Sequence, residues 1–96
     1  MYIIVILNFL FLYILYSYTE HGQLEVVQYL LDHNADVEAI DDDGRTPLIL
    51  ACFYGHPSVA KELVYNGKAD IDAEDRNNMS PLHAAATQTG QYNLYR

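Results

Sequence analysis

The sequence predicts an all-α fold, a short and truncated solenoid of helix-turn-helix repeats with turn or hairpin tips. Three observations carry that expectation. A spacing of 33–34 residues recurs along the chain. Apolar residues within each unit fall on single helical stripes. Glycine, proline and short polar residues punctuate the units at equivalent places. A period near 33 that recurs in all three kinds of position together marks a repeat array.

The repeat is visible when the chain is slid along itself. Gly22-Gln23-Leu24-Glu25-Val26-Val27 matches Gly55-His56-Pro57-Ser58-Val59-Ala60 at an offset of 33, and Leu30-Leu31 matches Leu63-Val64. Ala35-Asp36-Val37 matches Ala69-Asp70-Ile71 at 34, as Thr46-Pro47-Leu48 matches Ser80-Pro81-Leu82. The step from 33 to 34 places one extra residue between Val64 and Ala69, assigned here to Lys68.

Each element of the unit has a local cause. Asp41-Asp42-Asp43-Gly44 is a turn, because short carboxylates cap nearby backbone and Gly44 permits positive φ. Thr46 caps a first helix, and Pro47 sits in its first turn, where a missing N–H costs nothing. Leu48, Ala51 and Cys52 form one stripe of that helix. Gly55 ends it in a left-handed turn. Ser58 to Tyr65 make a second helix with Val59, Leu63 and Val64 inward. Gly67 is expected to end it, with Asn34 in the matching place one repeat earlier. Helices are expected near Leu24–Asp32, Pro47–Tyr54, Ser58–Asn66 and Pro81–Thr87, and turns at Asp41–Gly44 and Asp75–Asn78.

These residues resemble the ankyrin repeat. The marks are Asp41-x-x-Gly44-x-Thr46-Pro47-Leu48, Ala51-x-x-x-Gly55-His56 and Leu63-Val64-x-x-Gly67, with a weaker copy from Asp75 to Ala86. The resemblance covers roughly residues 20–90, with one complete repeat, about Asp41 to Lys68, and two partial ones. It implies paired antiparallel helices stacked into a solenoid whose usual activity is protein binding. Some positions depart from the pattern. Ile49 replaces a histidine that His83 keeps, Asn78 replaces the turn glycine, and one residue too many lies between Ala86 and Gly90.

The organisation expected is an apolar segment over residues 1–18 and a repeat region over 19–96. Residues 2–18 carry no charged side chain. As a helix they would span ~25 Å, short of the ~30 Å hydrocarbon core, although a tilted helix or thinned membrane could accept them. A signal peptide would need basic residues before the run and small residues after it, and neither is present. A degenerate first helix, with Tyr13–Thr19 in its place, is a third reading, and a start never selected to fold is a fourth. Membrane association through residues 2–18 therefore stays open beside an expected intracellular location.

Charge and chemistry narrow the function. The net charge is −8, and the five Lys and Arg are scattered as Arg45, Lys61, Lys68, Arg76 and Arg96. This argues against a nucleic-acid partner and favours a basic protein partner. One cysteine, Cys52, excludes an intramolecular disulfide and reads as an inert buried thiol. His21, His33, His56 and His83 lack metal-ligand spacing, and Asp41–Asp43 lacks a calcium-loop pattern. Asn78-Met79-Ser80 spells a glycosylation sequon but precedes Pro81, and reads as a turn. No nucleophile triad, phosphate loop or acid–base carboxylate pair appears, so no catalysis, metal or cofactor is expected.

The resemblance implies partner contacts from the turn tips and the exposed side of the first helices. Those positions are Ile40, Asp42, Asp43, Arg45, Phe53 and Tyr54, then Glu74, Arg76, Asn77 and Met79, with Thr87 and Gln88 beyond. Tips aligned roughly 10 Å apart would make an acidic strip. Phe53 and Tyr54 would be its apolar centre, unless they pack on the next repeat. The alternatives to an interaction module are a membrane-tethered degenerate repeat fragment and a truncated product without function of its own.

Overall fold

A computed structural model of the protein describes residues 2–15 and 23–89. The elements are α1 (Tyr2–Ile14), α2 (Gln23–Asp32), α3 (Pro47–Phe53), α4 (Pro57–Tyr65) and α5 (Pro81–Thr89). No strand occurs among the described residues. Helix α3 touches α1, α4 and α5, while α2 touches α1 and α4. First helices α1, α3 and α5 thus form one row, and second helices α2 and α4 form the other.

Helix α3 starts and stops as its residues dictate. The Thr46 hydroxyl accepts from the Ile49 N–H at 3.2 Å, and Pro47 occupies the first turn. Gly55 has φ +76°, and the His56 N–H donates to the Ala51 carbonyl at 2.8 Å, closing the helix end. Pro47 to Ala51 are all buried, since α3 has neighbours on three sides. The expected stripe of Leu48, Ala51 and Cys52 is therefore only part of its buried surface; Ile49 and Leu50 are fully enclosed too.

The connecting segments repeat bond for bond. The Asp36 carboxylate accepts from the Glu38 N–H at 2.9 Å, and Asp70 accepts from the Asp72 N–H at 2.9 Å. Across the stack, the Asp70 N–H donates to Glu38 Oε2 at 2.7 Å. The Asp36 N–H donates instead to Asn8 Oδ1 of α1, also at 2.7 Å. The one polar residue early in the apolar run thus satisfies a backbone donor that the preceding helix must meet.

One expectation needs correction. The left-handed residue after α4 is Lys68 (φ +57°), matching Asn34 (φ +70°), and not Gly67. Gly67 is needed for space: a Cβ there would lie 2.8 Å from the Leu63 carbonyl oxygen and 3.0 Å from Val37 Cγ2. The inserted residue accordingly falls before Lys68, between the end of α4 and the left-handed turn. At the start, a helix lies over Tyr2–Ile14; of the Tyr13–Thr19 register, residues 16–19 lie outside the described residues.

Helix α1 is joined to the rest of the stack. Phe11, Leu12 and Leu15 are buried in one cluster with Val27, Leu30, Leu50 and Leu63. Gln23 Nε2 donates to the Ile14 carbonyl at 2.6 Å, capping the helix end. No helix of the described residues is long and apolar enough to cross a membrane.

Gly44 yields the first expected result. It has φ +77°, and a Cβ would meet Arg76 Cγ at 3.2 Å and the Arg76 backbone nitrogen at 3.3 Å. Gly44→Ala should destabilise the chain by about 1–2 kcal/mol from the left-handed backbone alone. A lowered urea midpoint with an unchanged slope is the expected reading.

Candidate partner-binding surface

The two turn tips are built alike. In the first, the Asp41 Oδ1 accepts from the N–H groups of Asp43 (2.9 Å) and Arg45 (2.8 Å). In the second, Asp75 Oδ1 accepts from Asn77 (2.8 Å) and Met79 (2.9 Å). The Gly44 N–H donates to the Asp41 carbonyl, and the Asn78 N–H to that of Asp75, both at 3.0 Å. Asn78 takes φ +62° in place of glycine. Asp41 and Asp75 are therefore internal braces, while the carboxylates of Asp42 and Asp43 face solvent.

The tips are also bonded to each other. The Arg76 N–H donates to the Asp43 carbonyl at 3.0 Å. Arg45 bridges within its own tip, Nε to Asp41 at 3.2 Å and Nη2 to Asp43 at 2.7 Å. Its side chain is mostly covered, so it braces the turn more than it offers a free cation. Glu74, Arg76 and Asn77 are exposed. Asn77 and Met79 line a shallow hollow with His83 and Thr87.

Phe53 and Tyr54 sit elsewhere. They lie at the far end of α3 from the Asp41–Gly44 tip, about 10 Å along the helix. Both are half-buried, with rings edge to face at 5.0 Å. Tyr54 packs against the core cluster. They do not border the apolar hollow beside the first tip. Side-chain structure at Gln88 lies outside the described residues.

That hollow is the feature sequence reasoning missed. A groove of about 670 Å³ runs between α1 and the tip. Ile6, Phe9, Leu10, Leu12 and Tyr13 line one wall, and Ile40 with Asp41–Asp43 the other. Its walls come from segments thirty residues apart, and a uniformly apolar run gives no sign of which side faces out.

His83 Nδ1 lies 3.0 Å from the Ser80 hydroxyl, tying its own helix start. His33 stacks on Tyr29 at 4.0 Å. His56 is fully buried at the start of α4. His21 lies outside the described residues, among which no group of three His, Cys, Asp or Glu side chains could hold a metal. Burial pushes the Cys52 thiol above its usual pKa. A raised thiol pKa favours the neutral form, so less thiolate is present at pH 8 than in a free cysteine. Alkylation of Cys52 at that pH should run slower than that of free cysteine and accelerate in urea. Equal rates in the absence of urea would contradict its placement.

A family model for ankyrin repeats in three copies matches residues 15–96, and the chain belongs to that family. It is 43% identical over 67 residues to the tyrosine-protein kinase HTK16 of Hydra vulgaris, covering 69% of this chain and 9% of the kinase. It is 44% identical over 52 residues to protein phosphatase 1 regulatory subunit 27 of Mus musculus, covering 54% of this chain and 33% of that protein. The Homo sapiens protein of the same name gives the same identity and coverage. The chain thus spans a third or less of each of these relatives.

Proposed function

We propose that this chain holds another protein on its turn tips and first helices and catalyses no reaction itself. The observation that carries the reading is the bonded pair of tips. Arg76 N–H to Asp43 carbonyl fixes one against the other, and Asp42, Asp43, Glu74, Arg76 and Asn77 remain exposed on them. Pre-ordered loops of this kind bind without a large entropic cost. The relatives support the same reading. A kinase and a phosphatase regulatory subunit are proteins of different kinds, and what they share with this chain is the repeat scaffold.

The partner is proposed to be basic, because exposed acids on the tips outnumber free cations. Charge then sets the association rate, and apolar contacts set the dissociation rate. The test is capture of proteins from cell extract by the tagged chain, followed by kinetics on what is retained. Replacing Asp42 and Asp43 with Asn should slow association several-fold at low salt and flatten its salt dependence. Phe53→Ala should speed dissociation; it is a cleaner probe than Tyr54, which packs on the core. A retained partner indifferent to these changes and to Arg76→Ala with Asn77→Ala would place the interface away from the tips.

A further inference from the structure

We infer that the groove between α1 and the first tip is a docking site for a basic amphipathic helix of a partner protein. The inference rests on the protein-binding reading above and names the partner's chemistry. Helix α1 carries two kinds of apolar residue. Phe11, Leu12 and Leu15 are buried in the core. Ile3, Ile6, Leu10 and Tyr13 are instead 70%, 62%, 42% and 74% exposed. Their spacing is three, four and three residues. That alternation keeps side chains on one seam of a helix and is the spacing that a second helix packs into. Phe9, 70% exposed, widens the seam. At 13 residues, α1 offers a wall about 20 Å long. An apolar stripe and groove of this form take an amphipathic helix along its i, i+3, i+4, i+7 face.

Charge selects among helices. The opposite wall bears Asp41, Asp42 and Asp43; Arg45 pairs with Asp41 and Asp43, so three carboxylates are offset by one guanidinium and the wall stays anionic. No Lys or Arg precedes Arg45 in the chain, so α1 supplies no compensation. The groove is therefore apolar on one side and anionic on the other. It matches a helix with Leu- or Phe-like residues on one face and Lys or Arg beside them. A second copy of this chain fits poorly, since the same surface would bring three further aspartates and an Arg45 already held by its own tip. An anionic membrane is repelled by the same carboxylates.

The test uses the full chain and two synthetic 21-residue helical peptides with identical Leu seams, one flanked by Lys and one by Glu. Fluorescence anisotropy should show the Lys peptide binding at least about tenfold more tightly than the Glu peptide. Ile6→Ser with Tyr13→Ser leaves charge unchanged and alters only exposed positions, so the melting curve should hold. It should weaken the Lys peptide about tenfold or more. Asp42→Asn with Asp43→Asn should weaken it and reduce its salt dependence. Equal binding by the two peptides overturns the inference, as does a Lys-peptide affinity untouched by Ile6→Ser with Tyr13→Ser. Two further outcomes overturn it by naming another occupant: a dimer in sedimentation equilibrium, or co-sedimentation with phosphatidylcholine vesicles, that the same double substitution abolishes. If the groove fails while capture of proteins still responds to Arg76→Ala with Asn77→Ala, the wider protein-binding reading survives. If both fail, that reading falls as well.

Discussion

Leu63→Ala should remove a large part, up to all, of the free energy that keeps the chain folded. Leu63 is fully buried at the centre of α4, in one cluster with residues from α1, α2 and α3. Removing such a side chain costs about 2–5 kcal/mol, the transfer loss plus the cavity left behind. A domain of this size lies at the low end of the natural range of ~5–15 kcal/mol. The single substitution therefore consumes between about two fifths and all of the margin. Far-ultraviolet circular dichroism should show helix lost at a much lower urea concentration. Leu82→Ala, at a position 78% exposed, should leave the melting curve nearly unchanged. Comparable effects from the two would contradict the assignment of inside and outside.

Phe11→Ala should be at least as damaging, costing about 3–5 kcal/mol. Phe11 is fully buried, whereas Phe9, two positions away on the same helix, is 70% exposed. Phe9→Ala should change stability by no more than about 0.5 kcal/mol. The pair separates a packed α1 from an apolar appendage, because composition is identical and only orientation differs. Urea midpoints for the two variants decide it. For the same reason, a chain cut to residues 19–96 would lose three core side chains, Phe11, Leu12 and Leu15, and should be less stable than the whole.

What the sequence made legible was local. Thr46 and Pro47 fix the start of α3 through contacts within three residues, so the helix could be placed to within a residue of its observed end. Asp41 and Asp75 brace their turns through neighbouring N–H groups, and the offset of 34 made each turn a check on the other. Gly67 misled because a glycine after a helix usually supplies positive φ. Here Lys68 takes that conformation, and the glycine makes room for Leu63 and Val37. The tightest approach is to the Leu63 carbonyl four residues earlier, and the Val37 methyl beside it comes from a distant segment that leaves no local trace.

The apolar start was the least legible part. Nearly every side chain of α1 is apolar, so no stripe distinguishes the face that packs from the face that does not. Tertiary contacts make that choice, burying Phe11 and leaving Phe9 out. The groove beside the first tip was hidden for the same reason. Asp42 and Asp43 were recognisable as exposed acids, but the wall facing them could not be known until α1 was placed. Phe53 and Tyr54 looked like natural companions for the tip; the length of α3 sets them at its other end.

The core around Phe11 and the proposed groove both depend on α1 being packed as the first helix of the stack. Native-state amide hydrogen exchange, followed residue by residue with increasing urea, reads that packing. If α1 belongs to the stack, the amides of Phe11 and Leu12 should open together with those of Leu50 and Ala51 in α3, with the same urea dependence. Exchange in α1 at the rate of an unstructured peptide, while α3 and α4 stay protected, would contradict the account.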